Sequence, residues 1–264
     1  MEALSDLNAH IEHLISSLLS HPVAGTESFY LTQYFLWMLV ASVTVVVLMV
    51  AASRKMKLVP QGRAMNAFEM IVEFVKTDVG ENVIGRDYAK HLPFLFSIFI
   101  FILVNNLYGL VPGAKNGTGT IGITGALAVI SFCYFIYWGV KTHGLGGYIK
   151  SLSPAGVMFP INIIVWVIEV FSTFLRIVTL AVRLFANMFA GHIAMGALAI
   201  LTSLFAAPMI EAFSAGAVVS SLPAIGWLLL LMIMYAVELI VAFIQAYVFT
   251  VLSAVYVSLA TSEH

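Results

Sequence analysis

The sequence predicts an all-α integral membrane protein with about five membrane-spanning helices, one interfacial amphipathic helix, and a final pair of long, steeply tilted helices. Three observations carry this. Apolar residues make up 61% of the chain and charged residues 9%, against roughly 25% charged in a soluble domain. With a mean hydropathy of +1.02, no aqueous core could hide that much apolar side chain. Stretches of spanning length, about 20 apolar residues, also recur along the chain. Two of them, near the C-terminal end, would form helices of about 60 Å, twice the hydrocarbon thickness. Neither has an interior proline or polar break, so tilt is expected rather than two half-spans.

The elements follow in order within a single membrane domain, 1–264. Residues 1–28 form a polar outer segment with Glu2, Asp6, Glu12 and Glu27 and no Lys or Arg, so the basic region of a signal peptide is missing. The first span is 29–52. In 60–90, Ala64, Ala67, Phe68, Ile71, Val72 and Val75 recur at helical spacing, with Glu69, Glu73, Lys76 and Asp78 between them. That pattern is an amphipathic helix on the inner membrane surface. A two-span hairpin follows over 93–140, made of about Pro93–Val111 and Ile121–Val140. Gly144, Gly146 and Gly147 read as turn glycines, because no strand precedes them to build a nucleotide-binding loop. The long hairpin covers 158–259 and is broken by Ala206–Ser221, which holds Pro208, Glu211 and Gly216.

Basic residues fix the orientation. Arg54, Lys55, Lys57, Arg63, Lys76, Arg86 and Lys90 fall between spans one and two, and Lys141 and Lys150 follow span three. Lys115 alone lies between spans two and three. The N-terminus is therefore outside and the C-terminus inside. The single Cys133 lies in an apolar run and reads as a buried structural thiol; one cysteine makes neither a disulfide nor a thiol metal site. No metal or cofactor is expected. The net charge of -1 is uninformative about partners, and no nucleic acid is expected among them.

Polar groups inside the long hairpin carry the chemistry. A guanidinium in hydrocarbon costs about 2.5–3.5 kcal/mol on insertion scales and is kept where it faces protein or water. Arg183 is in that position. Glu169, Arg176 and Arg183 are spaced by seven and share a stripe, with Thr179 and Asn187 four residues to either side of Arg183. Arg176 lies nearer the inner end and reads equally as a snorkelling or packing residue. Asn105 and Asn106, near the outer end of span two, read as helix-end or interhelical hydrogen bonders. Glu238 and Gln245 share a stripe of the last helix. If Gln245 lies beside Arg183 in the antiparallel partner, His192 and Glu238 reach similar depth, about 10–13 Å toward the outside. Glu169 lies about 21 Å toward the inside. Titratable groups on both sides of a fixed charge suit two half-routes meeting at a barrier.

Three segments make the pattern recognisable. Leu180-Ala-Val-Arg-Leu-Phe-Ala-Asn-Met-Phe-Ala-Gly-His192 resembles the signature helix of subunit a of F-type ATP synthases. Glu238-Leu-Ile-Val-Ala-Phe-Ile-Gln-Ala-Tyr-Val-Phe-Thr-Val-Leu252 resembles that family's last helix, and Asn106-Leu-Tyr-Gly-Leu-Val-Pro112 its second span. The resemblance runs from about residue 30 to the end. It implies a proton-translocating stator that offers two offset half-channels to a rotating ring of c subunits and has no nucleotide chemistry of its own. Arg183 matches the essential arginine that meets the ring carboxylate and blocks leakage, and Gln245 matches the glutamine facing it. Asn187, His192 and Glu238 match the outer half-channel and Glu169 the inner one; Arg176, Thr179 and Asn106 are weaker candidates. The implied partners are the c-ring, the peripheral-stalk b subunits, the rest of the synthase, lipid and the proton. His192 and Glu238 stand in the reverse of the order found in well-known bacterial members. Gly109 stands where members with that reversed order carry an aspartate. A bacterial plasma membrane is favoured, with the mitochondrial inner membrane as the alternative. A self-contained transporter and a structural scaffold are the rival classes. The first would show repeats or broken helices, and the second would tolerate Arg183→Gln.

Overall fold

The computed structural model describes residues 22–26, 29–55, 62–111, 114, 116–151, 161–211 and 221–261. Most of the polar segment 1–28, Lys57, Lys115, and Gly216 with most of its loop lie outside the described residues. Among the described residues, five helices are long and apolar enough to cross a membrane. The all-α membrane architecture holds, preceded by one small hairpin in which β1 (Pro22–Thr26) pairs antiparallel with β2 (Phe29–Thr32).

That hairpin moves the first boundary. Residues 29–32 belong to β2, and helix α1 runs Gln33–Lys55. The apolar start of the expected span is aromatic and β-branched, a composition that suits a strand as well as a helix. Helix α2 (Arg63–Phe74) continues into a π-helical turn, Val75–Ile84. Its apolar face packs on the rest of the chain. Val75 and Val79 are fully buried, and Phe68, Ile71 and Val72 pack on the same core. Phe74 meets Phe99, Phe243 and Tyr247 at ring-centroid distances of 5.3–6.1 Å.

Helix α3 (Tyr88–Gly109) starts before the expected span, leaving Pro93 inside it. Pro93 is the sixth residue of α3, past the first turn, so it lacks the N–H that would bond the Ala89 carbonyl. α3 is the central helix: Leu95, Phe96, Ile98, Phe99, Ile100 and Ile102 are all buried in the main core. Helix α4 (Ile121–Ser151) extends past the expected end and breaks at Gly144, whose φ of 72° and ψ of 163° suit only glycine. Gly144 is therefore the turn, whereas Gly146 and Gly147 are helical. Past that break Tyr148 folds back against Gly139, where a Cβ would overlap its ring. α4 buries Thr124, Ala128, Ser131, Phe135 and Gly139 on one face. Cys133 lies off that face and is exposed at the outer surface of the chain, which corrects the expectation of a buried thiol.

Helices α5 (Ile161–Glu211) and α6 (Leu222–Thr261) are each continuous. At 51 residues α5 is about 75 Å long, too long to stand upright in about 30 Å of hydrocarbon. It also carries the chain five residues beyond the expected break at Ala206. α6 can approach its neighbours closely where its buried face carries short side chains, at Ala242, Ala246, Thr250, Ser253, Ala254 and Ala260, with the larger Phe249 and Val257 buried between them. Ser131 donates to Ser253 at 2.8 Å across the α4–α6 contact.

Candidate functional site

Two contacts set the register of α5 against α6. The Glu238 carboxylate lies against Gly191, and the Arg176 guanidinium stacks on Tyr256 at 5.2 Å. The helices are therefore antiparallel, and Gln245 falls at the level of Arg183 and Asn187. His192 and Glu238 come to one depth, as the spacing predicts, because Glu238 meets the residue that precedes His192.

Arg183 is exposed. Among the described residues it has no hydrogen-bond or ion-pair partner. Exposed Thr179, Ala186 and Ala190 continue its strip along α5. Gln245, by contrast, is 8% exposed. The two residues share a level but no hydrogen bond among the described residues. Asn187 is half-buried, and its Nδ2 is enclosed without a hydrogen-bond partner.

Arg176 differs from Arg183 in every respect. It donates to Glu169 Oε1 at 2.9 Å, and both side chains are partly shielded. Its stacking on Tyr256 adds a cation–π contact. The seven-residue spacing thus brings Glu169 and Arg176 together as a pair on one helix and leaves Arg183 outside it.

At the opposite end from this pair, α3, α5, α6 and the 3-10 turn Gly117–Gly119 converge on a buried polar cluster. Asn106, 1% exposed, donates from Nδ2 to the Ala242 carbonyl at 3.2 Å and accepts from the Thr118 hydroxyl at 2.7 Å. Asn116 caps the turn by accepting from the Thr118 amide at 2.9 Å. Asn105 donates to the Phe101 carbonyl. The His192 ring packs on Gly109: a Cβ there would lie 3.0 Å from His192 Cε1 and 2.8 Å from Asn116 Cβ. An aspartate at 109 does not fit this arrangement without movement of His192 or Asn116. His192 Nδ1 lies 3.0 Å from the Met188 carbonyl oxygen, so that nitrogen is the donor. Asn105 Oδ1, Asn116 Nδ2 and Glu238 Oε1 are buried without a hydrogen-bond partner among the described residues. Such atoms are rare in native interiors and hold unused hydrogen-bonding capacity.

Asn116 and Thr118 were not legible as site residues. Asn116-Gly117-Thr118-Gly119 reads as an ordinary surface turn, and only the fold buries it. The role of Gly191 is likewise invisible in sequence, because it is the absence of a side chain opposite Glu238.

Away from the spans, two charged groups are shifted. Hydrogen bonding and charge from Glu73 raise the Lys76 amine above its ordinary value. The Lys90 ammonium, 2.8 Å from Asp87, holds that carboxyl below the usual range.

The fold and these groups define a polytopic helical membrane protein with charged and polar groups held between its two longest helices. Residues 35–258 match the family described as ATP synthase A chain. The chain is 37% identical over 91% of its length to ATP synthase subunit a 2 of Prosthecochloris aestuarii, covering 72% of that protein. It is 38% identical over 96% to ATP synthase subunit a 2 of Chlorobaculum tepidum, covering 67%. For ATP synthase subunit a 2 of Chlorobium luteolum the figures are 40%, 81% and 59%. The relatives are thus longer than this chain. The chain belongs to the ATP synthase A chain family.

Proposed function

We propose that the chain is the proton-translocating stator subunit of an F-type ATP synthase, in a bacterial plasma membrane, and that it works with the c-ring, peripheral-stalk b subunits and the remaining subunits. Glu238, His192 and Asn187, together with Asn116, Asn105 and Asn106, line the outer half-channel. Protons pass along it to a ring carboxylate. Glu169 serves the inner half-channel, with Arg176 as its fixed counter-charge, and the 158–259 hairpin lines both routes. Arg183 attracts the ionised ring carboxylate, releases its proton toward the exit and blocks direct leakage; Gln245 and Thr179 flank it.

One observation carries this reading: Arg183 is an outward-facing guanidinium at mid-span with no counter-charge among the described residues. Facing lipid, it would bear the full cost of a charge in hydrocarbon. Facing a carboxylate on another chain, it gains a partner in a low-dielectric setting. The short side chains of Ala186 and Ala190 beside it let a partner helix come close. The unpaired cluster atoms support a wet path on the outer side.

The test is a synthase carrying Arg183→Gln, reconstituted in vesicles under an imposed proton gradient. No ATP synthesis by an assembled complex is expected, and substantial synthesis overturns the reading. A second arm places Ala186→Cys in a Cys133→Ser background, since Cys133 is itself exposed. Cross-linking from position 186 should capture a ring subunit.

A further inference from the structure

We propose that a cavity at the basic end of the molecule, far from the Arg183 face, binds the phosphate head group of an anionic membrane lipid. The cavity measures about 280 Å³ and lies where the start of α3 meets α4 and the end of α6. Arg86, Lys90, His91, Trp138, Ser258 and Thr261 are among its lining residues.

The charge at this site is positive where an occupant would sit. Asp87 also lines the cavity, but it is engaged with Lys90 at 2.8 Å. Arg86 has no such partner among the described residues. Lys141 sits 4.4 Å from the Trp138 ring and adds a further cation beside the wall. His91 is 2% exposed, and its Nδ1 is 3.0 Å from the Tyr134 hydroxyl. Its other ring nitrogen has no hydrogen-bond partner among the described residues and is available to an occupant. The Ser258 hydroxyl is likewise uncommitted among the described residues. Guanidinium, imidazole and hydroxyl groups around one space suit a phosphodiester.

A lipid fits this site better than a free ion does. The cavity lies at the end of the bundle that carries Arg54, Arg63, Lys76, Arg86, Lys90 and Lys141. By the positive-inside rule, that end faces the anionic cytoplasmic leaflet. Trp138 and Tyr137 are aromatics of the kind that sit at the head-group level. Exposed Tyr137, Leu145 and Leu259 near the cavity walls in sequence offer apolar surface for acyl chains. A bound head group would tie α3, α4 and α6 together at one point.

The experiment uses the purified synthase containing this chain, incubated with phosphatidylglycerol bearing a photoactivatable group next to its glycerol. Labelled peptides are then mapped. Labelling within 84–91, 138–142 or 256–261 is expected, with a matching phosphatidylcholine probe giving about five-fold less. Arg86→Gln should reduce labelling about five-fold, whereas Arg86→Lys should keep most of it. Arg86 is exposed, so these variants leave the core untouched, and retained ATP-driven proton pumping checks assembly. Equal labelling by the two lipids, or indifference to Arg86→Gln, would mean boundary lipid only and overturn the proposal. Full competition by millimolar inorganic phosphate would mean a free-anion site and overturn it as well. The residues involved are separate from the proposed proton path, so failure here leaves that reading standing.

Discussion

The polar cluster around Asn106 and the face around Arg183 both place hydrophilic groups at membrane depth, yet they are built in opposite ways. In the cluster, Asn105, Asn106, Asn116 and Thr118 are buried by the same chain and much of their hydrogen bonding is met internally, while Glu238 is buried beside them with its Oε1 unpartnered among the described residues. At Arg183 the charge points outward and nothing among the described residues answers it. A buried neutral amide is affordable when its partners are local. A permanent charge is not, and has to find its partner elsewhere. The amides of the cluster thus find most of their partners within the chain, leaving Asn105 Oδ1, Asn116 Nδ2 and Glu238 Oε1 unpaired among the described residues, whereas the Arg183 face is incomplete until another surface meets it. Arg176 makes the contrast internal to one helix: the same residue type seven positions away, with an in-chain carboxylate and an aromatic ring, needs no outside partner.

The contrast between the two regions rests most heavily on Arg183. Arg183→Gln should lower proton-driven ATP synthesis in reconstituted vesicles by about 100-fold or more, the scale for removing a positioned charge, with the complex still assembled. If Arg176→Gln did equal damage, the distinction between the two arginines would collapse.

Next in size is Gly191→Ala. The added methyl would overlap the Glu238 carboxylate, the far end of a flexible side chain, which would have to swing away from its present place. Proton pumping in inverted vesicles should fall, and Glu238→Asp in the same background should recover part of it by shortening the side chain. A wild-type rate in Gly191→Ala alone would show that the carboxylate is not confined there.

Arg176→Gln ranks third. It removes the Glu169 ion pair and the Tyr256 stacking, worth about 0.5–1 kcal/mol at partly exposed sites. A decrease of a few-fold in synthesis is expected, and pairing it with Glu169→Gln should add little. Strictly additive losses in the double variant would mean that the pair does not act as a unit.

The smallest effect belongs to Asp87→Asn. Lys90 depresses the Asp87 carboxyl, so its contribution to stability is present above the ordinary carboxylate value, about 3.9. That contribution is lost only as pH falls through the lower, folded value. Both side chains are exposed, so the thermal midpoint at pH 7 should not change measurably.

Much of the architecture was legible because hydrocarbon imposes a one-dimensional rule. Spans must be apolar and of fixed length, so α3, α5 and α6 could be read from runs of Phe, Ile, Leu and Val. The spacing of Glu169 and Arg176, and the common depth of His192 and Glu238, followed from the regular rise of a helix. The sequence by itself also singled out Arg183, because a charge in an apolar run stands out without any fold. Only tertiary structure decided which polar groups share a space. It buried Asn116 and Thr118 from an unremarkable turn and gave Gly109 and Gly191 their roles by pressing His192 and Glu238 against them. It also turned Cys133 outward and left Arg183 exposed while pairing Arg176. These outcomes depend on which face of each helix meets which neighbour. That is settled by side-chain volumes across several segments at once, information that no single stretch of sequence carries.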